Sequence, residues 1–155
     1  MRILIITLVC VLAASLPAFA GLEEAGWMTD FKTASELALE KKTPILVAFV
    51  NSQHRGWYQK LEEDLLMSAP FAAFAEESLI LVLADYPENG QQSADILEQN
   101  KDLIQRYDIK WFPTLLLLDS SGKEIGQTRY QEGGPEAFVA HLKSILENPD
   151  KHRGK

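Results

Sequence analysis

Two short, uninterrupted apolar runs narrow the choice of fold more than any other feature: Ile45-Leu46-Val47-Ala48-Phe49-Val50 and Leu79-Ile80-Leu81-Val82-Leu83-Ala84. Each is too short for a buried helix and is bounded by turn-forming or polar residues. A strand that is apolar on both faces has to be covered on both faces, which is the situation of inner strands in a parallel sheet. The flanking segments carry helical periodicity instead. Asp30 is placed to cap a helix in which Phe31, Ala34, Leu37 and Ala38 recur, running to Lys41-Lys42 and stopped by Thr43-Pro44. Between the runs, Asn51 to Gly56 reads as a polar loop. Trp57, Leu61 and Leu65 then fall at i, i+4 and i+8 on a helix reaching about Met67. Pro70 is expected to end or kink that helix, and Phe71 to Ala75 reads as a short continuation.

After the second run, Tyr86 to Ser93 is turn-rich around Pro87 and Asn89-Gly90 and leads into a helix from about Ala94 to Tyr107. Pro113 to Leu118, the turn Asp119-Ser120-Ser121-Gly122, and Glu124 to Tyr130 read as an antiparallel hairpin. Gly133-Gly134-Pro135 opens a last helix with Phe138, Leu142, Ile145 and Leu146 on one face, and residues 148–155 form a charged tail. Strands alternating with helices, then a hairpin and a helix, predict an α/β domain: a three-layer α/β/α sandwich with a mixed central sheet.

The first twenty residues differ in character from the rest. Arg2 supplies a positive charge, Ile3 to Leu16 form a largely apolar run, and Ala18-Phe19-Ala20 ends the stretch with small residues at the positions a signal peptidase reads. The expectation is a signal peptide over residues 1–20, cleaved after Ala20, and a periplasmic or secreted domain over residues 21–147. The apolar run is shorter than the ~20 residues a membrane span needs and Pro17 interrupts it, so no stable membrane anchor is expected after cleavage. The single cysteine, Cys10, lies in this segment, and Val9 stands before it where lipidation would call for a small residue. Cleavage removes one of 15 basic residues and none of the 22 acidic ones, leaving a net charge of −8. That balance disfavours nucleic acid and anionic membrane surfaces as partners.

The order and spacing of several short stretches resemble the thioredoxin superfamily, in particular its secreted bacterial members. They are Trp27-Met28-Thr29-Asp30-Phe31, Val47-Ala48-Phe49-Val50-Asn51-Ser52, Asp85-Tyr86-Pro87, Gln99-Asn100-Lys101-Asp102-Leu103, Tyr107-Asp108-Ile109-Lys110-Trp111-Phe112-Pro113-Thr114 and Leu118-Asp119-Ser120-Ser121-Gly122-Lys123-Glu124. The resemblance spans about Trp27 to Leu146. It implies a thioredoxin-like fold, a cis bond before Pro113, and a redox loop between the first apolar run and the next helix.

At that loop the sequence departs from the family. The expected Cys-x-x-Cys is replaced by Arg55-Gly56-Trp57-Tyr58, with Arg55 in the nucleophile position and Tyr58 in the resolving one. A dithiol site works because a helix N-terminus stabilises the first thiolate, which attacks a disulfide, and the second thiol releases the mixed disulfide. A guanidinium and a phenol perform neither step, so thiol-disulfide chemistry is not expected of the cysteine-free mature chain acting alone. Two readings of the loop remain open. His54 and Arg55 beside a helix start suit a carboxylate or phosphate. Alternatively, a former redox loop has drifted to solvated polar residues. No nucleophile and orienting carboxylate can be placed beside His54, and His141 and His152 form no metal-ligand spacing, so neither a cofactor nor a metal is implied.

The resemblance also implies that the proline loop leaves backbone free to pair with an extended segment, which needs no thiol. Its walls would be His54, Arg55, Trp57, Trp111, Phe112 and Pro113, unless Trp111 and Phe112 pack internally and Trp57 belongs to the core. Tyr58 is expected to cover the space a small cysteine would leave. Asp85 either lies beneath the loop or is a solvated strand end, and Glu62-Glu63-Asp64 reads as an outer helix face. The function this points to is a redox-inactive module that binds a protein or peptide and assists its folding or assembly. The alternative is an enzyme, either a thiol-disulfide oxidoreductase like the rest of the family or a non-redox activity at His54, Arg55 and Tyr58.

Overall fold

The structure, a computed structural model, describes residues 20–87, 92–131 and 133–148, apart from the side chains of Ala20, Arg55 and Trp57. The expected signal segment before Ala20, with Cys10, therefore lies outside the described residues, as do the expected turn at Asn89-Gly90 and the tail expected beyond Asn148.

In chain order the elements are α1 (Ala20–Glu24), β1 (Trp27–Met28), α2 (Phe31–Lys41), β2 (Ile45–Val50), α3 (Arg55–Leu61), a π-helical turn (Glu62–Leu66), α4 (Ala69–Ser78), β3 (Ile80–Asp85), α5 (Ala94–Arg106), β4 (Thr114–Leu118), β5 (Glu124–Thr128) and α6 (Gly134–Glu147). The five strands form one sheet in the order β1-β3-β2-β4-β5. β3 runs parallel to both β1 and β2, whereas β4 pairs antiparallel with β2 and with β5, so the sheet is mixed as expected.

All residues of β2, β3 and β4 are buried, because successive side chains enter two different cores. Leu46, Ala48 and Val50, with Leu81, Leu83, Leu115 and Leu117, pack against Tyr58, Leu61, Leu65, Phe71, Phe138 and Leu142 from the α3, α4 and α6 side. Ile45, Val47 and Phe49, with Val82, Leu116 and Leu118, pack against Ala34 and Ala38 of α2 and Leu103 of α5. This is the three-layer sandwich.

Local signals account for most element ends. Asp30 caps α2, its carboxylate accepting from Thr33 N–H at 2.9 Å, and Ser93 caps α5 through Ile96 N–H. Three expectations need correction. The loop after β2 is shorter than Asn51 to Gly56, since α3 already begins at Arg55 and Tyr58 N–H donates to the His54 carbonyl at 3.2 Å. Pro70 does not end a helix but sits in the first turn of α4, where a missing N–H costs nothing, behind the cap Ser68. The supposed short continuation at Phe71 to Ala75 is the centre of that ten-residue helix. β1, a two-residue edge strand, carries no sequence signal of its own length.

Candidate functional site

The loop Asn51 to His54 leaves the end of β2 and turns directly into α3. Asn51 closes the turn twice, its side-chain oxygen accepting from Gln53 N–H at 3.0 Å and its carbonyl from His54 N–H at 3.1 Å. Ser52 is clamped from below by Asp85 at the end of β3. One carboxylate oxygen accepts from Ser52 N–H at 2.9 Å; the other accepts from the Ser52 hydroxyl at 2.7 Å and from Gln92 Nε2 at 3.2 Å. Asp85 is only 2% exposed. The solvated-strand-end reading of this residue is therefore incorrect: the pairing of Val50 with Asp85 brings the carboxylate under the loop that Val50 leads into.

A chain of amides continues from this clamp. Asn100, fully buried on α5, donates to the Asp85 carbonyl at 2.8 Å and accepts from Gln99 Nε2 at 3.0 Å. Gln99 in turn donates to the Thr29 carbonyl and accepts from Phe31 N–H, both at 2.9 Å. The β1–α2 joint, α5, β3 and the site loop are thus linked by hydrogen bonds through the interior. The signal for Asn100 was present in the sequence as a polar residue on the buried stripe that Ile96, Leu103 and Tyr107 mark out, and Ser52 and Gln92 had none.

On α3, Tyr58 is 7% exposed and lies in the core rather than at the surface. Burial pushes its phenol well above the ordinary tyrosine range; the negative charges of Glu62 and Asp85 and a hydrogen bond with Glu62 push the same way. Glu62 is itself raised, first by burial and then by Glu63, with the Tyr58 hydrogen bond opposing. So Glu63 and Asp64 are exposed as an outer face should be, while Glu62 turns partly inward. Burial likewise raises Asp85, with the Ser52 and Gln92 hydrogen bonds pulling it back. The phenol remains protonated at neutral pH and is a donor, not a nucleophile.

Above Tyr58 opens a cleft of about 220 Å³ lined by Val50, Asn51, His54, Tyr58, Phe112 and Pro113. The Phe112–Pro113 bond is cis. Phe112 is 40% exposed and Trp111 61% exposed, so neither packs internally. The structure brings His54, Tyr58, Phe112 and Pro113 together around one cleft. Trp111 stands outside its wall, its carbonyl accepting from the Thr114 hydroxyl at 2.7 Å. Arg55 and Trp57 are placed by their backbone in the first turn of α3, and their side chains lie outside the description. Among the described residues no group of His, Cys, Asp and Glu is arranged to hold a metal ion, and no helix is long and apolar enough to cross a membrane.

No family model matches the chain. The disulfide bond reductase DsbH of Chlamydia pneumoniae is 29% identical over 117 residues, which cover 76% of this chain and 70% of that protein. The thioredoxin-related protein DsbJ of the same organism is 27% identical over 99 residues, 64% of this chain but 28% of that longer one. Among solved structures, a DsbH oxidoreductase superposes with a TM-score of 0.74 at 29% identity, over 78% of this chain and 83% of that one. A thioredoxin from Thermus thermophilus superposes at 0.56 and 18% identity, over 82% and 88%, a likeness of fold alone.

Proposed function

This chain belongs to the thioredoxin superfamily, and from that premise we propose that it is an exported, redox-inactive binding module that receives an extended segment of a protein partner in the cleft beside Pro113. The observation that carries the reading is the combination at α3. A buried tyrosine, Tyr58, stands where the resemblance would put the resolving thiol, while the cleft over it stays open with Phe112 exposed on its rim. Catalysis by a dithiol needs both sulfurs, whereas recognition needs the loop and the cleft. A cleft of about 220 Å³ with mainly apolar walls accepts one large apolar side chain.

The relative's name describes a reductase, and the sole cysteine of this chain, Cys10, falls in the segment expected to be removed. Together these facts support a function in binding, and the role we assign is assistance to folding or assembly of the bound protein.

The experiment is a pull-down from periplasmic extract with the mature protein, followed by measured affinities for the captured partner. Arg55→Ala and Phe112→Ala should each weaken binding by about 1 to 3 kcal/mol, with far-ultraviolet circular dichroism unchanged. Equal affinity of wild type and both variants for every captured protein would refute the site.

A further inference from the structure

The hairpin register brings a second, charged feature to Trp111, the residue before Phe112 of the cleft. Leu115 on β4 pairs with Thr128 on β5, so the residue after Thr128 meets the approach to β4, where Trp111 lies. Alternation along the extended chain buries Thr128, exposes Arg129 and half-buries Tyr130. Both neighbours of Arg129 are tied to α6: the Thr128 hydroxyl lies 2.8 Å from His141 Nε2, and the Tyr130 ring stacks on Phe138 with centroids 6.3 Å apart. Arg129 is turned the other way, its guanidinium carbon 5.3 Å from the centre of the exposed Trp111 ring.

A guanidinium resting on an indole is attracted by the ring face, while its N–H groups point outward in its own plane as a two-pronged donor. Among the described residues Arg129 makes no ion pair. The neighbouring cation, Lys110, is already matched to Asp108 at 2.9 Å. The chain as a whole is acidic, with 22 Asp and Glu against 15 Lys and Arg. At physiological salt that distant charge is screened beyond about 8 Å, so the local cation governs what docks beside it. We propose that Trp111 and Arg129 form a carboxylate-recognition subsite, and that the partner segment presents an aspartate or glutamate to it. The position of that acid, flanking the apolar residue that enters the cleft, rests on the binding reading given above; the subsite itself does not.

Two measurements separate these. In the first, the ¹⁵N-labelled mature protein is titrated with butyrate, which carries a single carboxylate, and, separately, with its uncharged twin butyramide, and the Trp111 indole N–H resonance, assigned with Trp111→Phe, is followed. The acid should shift it saturably, the amide should not, and the shift should vanish in Arg129→Gln. Arg129→Lys, which keeps the charge and loses the planar fork, should retain only a part. Equal shifts from acid and amide, or a shift that persists in Arg129→Gln, would overturn the subsite. In the second, an array of short peptides with one central Leu, Phe or Met carries Glu or Gln at each flanking position. Wild type should favour the best Glu peptide over its Gln twin by about fivefold, as one well-formed exposed pair provides. Arg129→Gln should bring that ratio to about one, and Phe112→Ala should weaken both peptides alike. Cleft binding with no preference for Glu would overturn the proposal and leave the cleft reading standing. A saturable butyrate shift with no peptide retained would support the subsite and remove the cleft reading. Arg129 is exposed, so its substitutions leave the fold intact.

Discussion

Replacing Asp85 by alanine and by asparagine separates the two things this carboxylate does. As an acceptor it holds Ser52 N–H, the Ser52 hydroxyl and Gln92 Nε2, at 2.9, 2.7 and 3.2 Å. As a charge it sits almost wholly out of water. Asp85→Ala deletes all three bonds and strands their donors, at about 1 to 1.5 kcal/mol each, and recovers part of this by removing a buried charge. The expected net loss is about 2 to 3 kcal/mol. Asp85→Asn keeps an oxygen for Ser52 N–H, and the Ser52 hydroxyl can rotate to accept from the new amide. Gln92 Oε1 is buried without a hydrogen-bond partner among the described residues, so a flip of that side chain supplies a second acceptor. This variant should stay within about 1 kcal/mol of wild type at neutral pH.

The sign of the pH dependence follows from linkage. Burial raises the folded pKa of Asp85 above its unfolded value, so the folded state binds this proton more tightly. Stability from this group is then fully present below the unfolded carboxylate range and declines as pH rises through the raised folded value. Urea unfolding of wild type and Asp85→Asn between about pH 4 and pH 7 reads this directly, since the other carboxylates cancel in the difference. Wild type should lose ground against Asp85→Asn as pH rises. If instead it gains, hydrogen bonding to the carboxylate outweighs its burial. If Asp85→Ala costs less than about 1 kcal/mol, the clamp on the site loop is not an energetic feature of the fold.

Mature protein should show no insulin-reduction activity above buffer, and a steady rate from cysteine-free material would refute the assignment. Arg55→Cys with Tyr58→Cys places two thiols three residues apart on α3, with Cα atoms inside the roughly 7 Å a disulfide requires, so the double variant should form an internal disulfide detectable by mass after thiol alkylation. Leu116→Ala removes a fully buried side chain from the middle of the sheet and should lower stability by about 2 to 5 kcal/mol in denaturant titration. Lys42 ends α2 in the left-handed region at φ 54°, so Lys42→Gly should raise the unfolding midpoint by the equivalent of about 0.5 to 1 kcal/mol; a fall would mean the lysine makes compensating contacts.

The secondary structure was legible wherever its cause is local. Ile45 to Val50 is apolar at every position because both its faces are covered, and Asp30 before a helical repeat announces its own cap. Pro70 was misread because proline suits both the stop of one helix and the first turn of the next; Ser68, two residues earlier, decides between them. That this chain by itself forms no dithiol was also a sequence fact, since it has a single cysteine and no fold can supply a second sulfur.

Burial and approach between distant residues belong to the tertiary structure alone. Nothing local distinguishes a solvated Asp85 from one clamping Ser52 across 33 positions, or a core Trp111 from an exposed one. Arg129 has no mark in the sequence at all, and its seat on the indole comes from the β4–β5 register and from the two side chains that tie its neighbours to α6. Periodicity and capping act over one turn of chain, so the sequence displays them. Desolvation and charge placement depend on which segments the sheet brings together, and only the completed packing determines that.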